Sequence, residues 1–355
     1  MALNLLYLIG LLAVGFLFST PLFVYANKPA GYEYDIKKDV WIYMWGLTFA
    51  GVCLLSHFMP DFNDTIISLK AKSIIIPFAL SALIYVVFLL ETDWLLYLSI
   101  GVSSAVMSYI IPEDAVLFNN LPIYAEKIIV FLFIFWVTFF AKILNGMSAV
   151  FAIFVLTILG GVCLISFIGG LPLGFGLICG YIAGLWLGFL RYNWYPSEIY
   201  LNDGACTSAG FLIACLFLYC SFEYATGSML ILLAYLFTEI LWVTIREYIL
   251  RIKEPDFYIN TSYYVNYTKD ISIHAILMAL VKIGMINVIF AGFQVYAPNM
   301  FSLPLFALIA DLWLINMLFH ASEEKLSFKQ TNQAVINEVK NNLKTIKDTI
   351  KSGKK

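Results

Sequence analysis

Long apolar runs recur along this chain with almost no charge inside them, and no other property constrains its fold as strongly. A segment that crosses lipid needs roughly 17 to 25 mostly apolar residues to cover about 30 Å, and it must close its backbone hydrogen bonds within itself. On that criterion helices are predicted at 4–26, 40–59, 73–90, 94–111, 123–144, 147–168, 172–190, 205–222, 227–249, 273–297 and 300–320. The expected fold is therefore all-α: a polytopic integral membrane protein with about 11 transmembrane helices. Composition agrees, because 62% hydrophobic and 12% charged residues leave too little polar surface to cover a water-soluble body of 355 residues. The first run is too long for the apolar part of a signal peptide. It also lacks a basic leader and a small-residue cleavage site, so it is expected to stay as a helix.

Orientation follows from Lys and Arg, which concentrate on the cytoplasmic side of short loops. Lys28, Lys37 and Lys38 follow the first run, Arg246, Arg251 and Lys253 follow the ninth, and Lys is frequent from Lys325 to Lys355. All three stretches fall on one side, which puts the N-terminus outside and the C-terminus in the cytoplasm. Lys70 and Lys72 are the mild exceptions. Residues 1–320 read as a single transmembrane domain with cytoplasmic loops, and 321–355 as a basic tail. Val335, Val339, Leu343, Ile346 and Ile350 form an apolar stripe there, as expected of a helix lying on the anionic inner leaflet.

A net charge of −2 predicts no nucleic-acid partner. The six cysteines lie in or beside apolar runs without metal-type spacing, and read as packing residues. Gly176, Gly180, Gly184 and Gly188 recur every fourth residue, a spacing that lets two helix backbones approach closely.

The polar residues near helix ends carry the functional signal. Residues 188–210 read GFLRYNWYPSEIYLNDGACTSAG, with Gly188, Phe189, Leu190, Asn193, Pro196, Ile199 and Asp203 at fixed spacing. Asn27-Lys28-Pro29 follows the first helix and Glu91-Thr92-Asp93 follows the third. Asn145-Gly146 ends the fifth, Glu239 and Arg246 stand seven apart in the ninth, and Ser272, His274, Lys282 and Gly284 open the tenth. In order and topology this resembles the polyprenyl-phosphate N-acetylhexosamine-1-phosphate transferases. That family includes undecaprenyl-phosphate GlcNAc-1-phosphate transferase and the phospho-MurNAc-pentapeptide translocase. The chain departs from the family pattern where Asn145 replaces an active-site Asp, where Asn202, Ala205 and Cys206 replace Gly, Gly and Ser, and where one His stands for three.

The resemblance implies transfer of a sugar-1-phosphate from a UDP-N-acetylhexosamine to a polyprenyl phosphate such as undecaprenyl phosphate, initiating a cell-envelope glycan in a bacterial inner membrane. It implies Mg²⁺ (or Mn²⁺), with Asp203 as metal ligand and with Glu91, Asp93 and Asn145 as the other catalytic positions. Lys28, Lys142, Asn193, Glu239, Arg246, His274 and Lys282 would line the substrates, and a homodimer is left open. Plainer roles stand beside these. Asp203 is also placed to cap the helix that follows it, and Glu91 and Asp93 to be a solvated turn at a helix start. Glu239 and Arg246 are spaced to pair elsewhere or to snorkel, and His274 to sit at the interface. Two other functions fit the sequence: an inactive relative that binds the lipid carrier or scaffolds glycan assembly, and a transporter.

Overall fold

The computed structural model describes residues 2–19, 33–58, 71–111, 122–249, 261–263, 272–298, 300 and 302–317. Lys28, the loop 251–260 and the tail 321–355 lie outside the described residues, and so does the predicted tail helix. Within them the chain is helical, with no strand.

The helices are α1 (Ala2–Phe18), α2 (Glu33–Phe58), α3 (Ala71–Phe88), α4 (Asp93–Ile110), α5 (Ile123–Ala141), α6 (Val150–Phe167), α7 (Leu173–Asn193) and α8 (Asp203–Cys220). They are followed by α9 (Thr226–Leu232), α10 (Ala234–Thr244), α11 (Ile273–Tyr296) and α12 (Ser302–Met317). A helix lies in each of the eleven stretches where one is predicted, the ninth being divided between α9 and α10. Among the described residues six of these spans are long and apolar enough to cross a membrane, and the α9–α10 pair, bent by 53° at Leu233, makes up to seven. This is a multi-pass membrane protein. Its outer surface agrees, since Leu6, Leu17, Ile289, Phe293, Leu305 and Ile309 all face outward. A solvent that welcomes such side chains is lipid.

α8 is the most enclosed of the spans and organises the body. It packs on α3 and α5 through small groups: a Cβ on Gly204 would meet the Phe88 ring at 2.2 Å, and one on Gly210 would meet Ala141 at 2.3 Å. Ser81 and Ser208 join α3 to α8 through hydroxyls 2.7 Å apart, so neither leaves an unmet polar group in the apolar interior. α7 packs against α1, α2 and α6. Its glycine stripe does what its spacing predicts, because Gly180 faces Leu8, Gly184 faces the Leu12 carbonyl and Gly188 faces Ser19, all on α1 or just beyond its end. Gly176 alone turns to Ser166 on α6.

The break between α9 and α10 lies in protein, with Leu232, Leu233 and Leu236 fully buried. Irregular backbone at membrane depth is tolerated only where protein or a wet cavity surrounds it. Ser228 on α9 donates to the Ala291 carbonyl at 2.9 Å and ties the broken span to α11.

Candidate functional site

Antiparallel packing brings the connections 89–92, 142–149 and 194–202 and the segment 261–263 to one end of the bundle, and specific contacts join them. At the entry to α8, Asn202 is the cap: its Oδ1 accepts the Ala205 N–H at 2.7 Å. Asp203 is therefore released from the capping role its position allows. It accepts instead from Asn145, whose Nδ2 lies 2.9 Å from Asp203 Oδ1 and 3.1 Å from the Leu201 carbonyl. Two motif positions 58 residues apart thus meet in one side-chain pair.

Asn193 closes the α7–α8 connection. Its Nδ2 donates to the Ile199 carbonyl at 2.8 Å and its Oδ1 accepts the Ala149 N–H, also at 2.8 Å. Ala149 has φ +67°, left-handed for a non-glycine residue, and the buried Asn193 amide holds it there as α6 begins. Ser148 and Ser197, 2.7 Å apart, add a second link between these two connections. Asn193 is buried and built into the scaffold on which Asn145 and Asp203 stand.

Lys142 opens a 3₁₀ turn, Lys142–Gly146, and its ammonium lies over the rings of Tyr97 and Phe139, 5.4 and 5.2 Å from their centroids. The two rings hold a positive charge at the rim. The other side of the turn is fixed by Tyr263, whose hydroxyl donates to the Ile143 carbonyl and accepts the Gly146 N–H at 3.2 Å. Burial, with the charge of Glu239, pushes the Tyr263 phenol above its ordinary range, so it remains a donor throughout the neutral region.

Glu239 is fully buried on α10 and does not reach the Asn145–Asp203 pair. Its carboxylate accepts from Tyr235 at 2.7 Å and from both the backbone N–H, at 2.9 Å, and the hydroxyl of Ser262. It pins the 261–263 segment, which in turn pins the 3₁₀ turn. Its spacing to Arg246, a half-exposed residue of the π-helical stretch Ile245–Ile249, does not make them a pair. Glu239 is thus a positioning group two steps removed from Asp203.

The remaining residues lie apart from the Asn145–Asp203 pair. Glu91, with φ +55°, and Asp93 are exposed in the α3–α4 turn, three and five residues beyond the Phe88 ring that packs on Gly204. His274 is exposed in the first turn of α11 and meets the Tyr195 ring edge-on at 5.7 Å. Lys282 is exposed two turns further along α11, about 12 Å from His274 along the axis at 1.5 Å per residue. Among the described residues no three His, Cys, Asp or Glu side chains come together to hold a metal. One carboxylate, Asp203, is joined to the Asn145 amide, and its Oδ2 carries no hydrogen bond among the described residues.

Below this end an apolar cavity of roughly 150 Å³ runs between α2, α3, α6, α7 and α8, lined by Trp41, Trp45, Phe78, Leu159, Trp186 and Ile213 among others. Trp41 packs on Tyr85, and the Tyr85 hydroxyl lies 3.4 Å from the Asn202 amide, so the cavity wall continues into the residue beside Asp203. Sequence reasoning missed Ser262 and Tyr263, which lie in a loop without a motif. No known protein family matches this chain, and no curated protein matches it.

Proposed function

We propose that this chain is a divergent polyprenyl-phosphate sugar-1-phosphate transferase with about eleven spans, its active end facing the cytoplasm of a bacterial inner membrane. The observation that carries the reading is the Asn145–Asp203 bond. It joins, at one end of the bundle, the two positions at which the resemblance implies acidic catalytic groups, above a cavity suited to an isoprenoid tail.

In this reading a lipid-phosphate oxygen attacks the sugar-bearing phosphorus of the UDP-sugar, that new P–O bond forms, and the bond to the UMP phosphate breaks. Phosphoryl transfer is governed by placement and charge rather than by covalent chemistry of the protein. Asp203 would hold Mg²⁺ or Mn²⁺ through Oδ2. A single carboxylate is enough only because Mg²⁺ keeps several waters and takes further oxygens from substrate phosphates. The ion would offset the negative charge of the donor. Lys142, held over its two rings three residues before Asn145, would add a positive charge at the same end, and Arg246 and His274 would meet the donor from the far side.

A second reading is favoured by Asn145 itself, since an amide carries no negative charge where the family's pattern has a carboxylate. In that reading the chain binds the polyprenyl phosphate and transfers nothing. The measurement that separates the two is UMP release by purified protein with undecaprenyl phosphate, Mg²⁺ and a panel of UDP-N-acetylhexosamines. Lipid-dependent release that disappears in Asp203→Asn is the expected result. No release from folded protein with any donor, together with retained binding of the lipid phosphate, gives the second reading.

A further inference from the structure

Among the described residues two carboxylates have no exposed surface at all, Glu239 on α10 and Asp311 on α12. Both are fully buried, and their surroundings treat them differently. Glu239 receives three hydrogen bonds, from Tyr235 and twice from Ser262, and is supplied with donors as an anion would be. Asp311 receives one, from Asn287 Nδ2 to its Oδ2 at 2.9 Å. Among the described residues its other oxygen, Oδ1, and the Asn287 Oδ1 have no hydrogen-bond partner, although neither side chain has any exposed surface.

An oxygen stranded in apolar surroundings is unfavourable, and an ionised carboxylate stranded there is far more so. Here the two deficits are complementary. A primary amide and a carboxylic acid pair around a ring, the amide N–H donating to one acid oxygen and the acid O–H donating to the amide oxygen. The first half of that ring is the Asn287–Asp311 bond. One proton on Asp311 Oδ1 supplies the second half and satisfies both stranded oxygens at once. We propose that Asp311 and Asn287 form a proton-binding site within the membrane, in which a neutral acid–amide ring joins α12 to α11.

The surroundings favour a proton over a metal ion. One turn to either side of Asp311 stand Ala307 and Ile315, and one turn to either side of Asn287 stand Ile283 and Ala291, all buried. A hard cation needs several further oxygens, which these positions do not offer. The titratable groups that interact with Asp311 are Glu239 and Tyr235, both on α10, and they already bond to each other. On α11 the next such group, Lys282, is exposed. A cavity of about 10 Å³, lined by Ser262, Ile283 and Ile315, lies between the residue that binds Glu239 and the turns flanking the ring. It is close to the room that one water needs.

The test is infrared spectroscopy of the full chain in nanodiscs at neutral pH, in H₂O and D₂O, with thermal unfolding of the same samples. The expected result is a protonated-carboxyl band that shifts in D₂O, vanishes in Asp311→Asn and persists in Glu239→Gln. Asp311→Asn preserves the ring with a second amide, so its unfolding temperature should equal or exceed that of the parent, whereas Asp311→Ala should unfold earlier. Replacing Na⁺ with choline should change none of these temperatures. The proposal is overturned by a spectrum without that band, by Asp311→Asn proving as damaging as Asp311→Ala, or by a Na⁺-dependent stabilisation that Asp311→Asn removes.

Discussion

Asn145 and Asp203 divide one site between an amide and a carboxylate, and each substitution there has its own signature. Asn145 is half-buried and Asp203 exposed, so Asn145→Ala removes a bond worth about 1 kcal/mol or less of stability. Its expected effect on lipid-dependent UMP release is at least about tenfold, roughly 1.4 kcal/mol in the barrier, because Asp203 loses the group that fixes its direction. Asn145→Asp sets two carboxylates within hydrogen-bond distance, and like charges that close resist ionising together. That variant should unfold earlier than the parent in EDTA and regain the difference when Mg²⁺ is added; a thermal-shift titration reads both. Glu239→Ala should behave in the opposite way, damaging stability first. It strands the Ser262 N–H and the Tyr235 hydroxyl in a fully buried place, at a cost of about 3 kcal/mol, read as a lowered unfolding temperature that Glu239→Gln partly restores. Asn145 and Asp203 were each named from the sequence as positions implied by the resemblance, but the bond between them was not. The capping by Asn202, the Tyr263 brace and the Asn287–Asp311 pair were not, since each depends on a partner from another helix. Asp311 carried a usable signal nonetheless: a lone acid in an otherwise apolar run has to be neutral or partnered.

At the scale of elements, the contact between α1 and α7 rests on absent side chains. A Cβ on Gly184 would stand 2.1 Å from the Leu12 carbonyl oxygen, and backbone cannot yield as a flexible side chain can. Gly184→Ala should therefore lower stability by about 1–3 kcal/mol, the usual range for overpacking. Gly160→Ala on α6 is the control, because its Cβ would meet nothing within 4 Å and alanine is the better helix former; its unfolding temperature should stay level or rise. The four-residue glycine spacing announced a close helix contact, but not which helix makes it. Spacing gives the face of α7; the identity of its partner is decided by how the whole bundle closes. The bend between α9 and α10 was hidden for a related reason. Residues 227–249 read as one span, and the break at Leu233 involves neither Pro nor Gly, so only burial against neighbouring helices accounts for its being tolerated.

For the whole molecule, the polar contacts at one end and the apolar outer surface define a direction but not which side of the membrane it faces. The orientation proposed above rests on the basic residues. Lys142, Arg191 and Arg246 accompany the end that carries Asp203, while the opposite end has Lys127, the Gly169 turn, with φ +89°, and the α11–α12 connection near Pro298. Because positive residues are retained in the cytoplasm, the proposed orientation turns the Asp203 end to that side, where the transferase reading needs its soluble nucleotide-sugar donor. Single cysteines at Tyr195 and Gly169 test this in a background freed of the native cysteines, all six of which are buried or half-buried thiols without a disulfide. A membrane-impermeant maleimide should label the Tyr195→Cys protein in inside-out vesicles and not in right-side-out ones, and the Gly169→Cys protein with the reverse preference. Inverted labelling at both positions would put the candidate site outside the cell and end the transferase reading, since the helical fold would be unchanged but its donor would be on the wrong side.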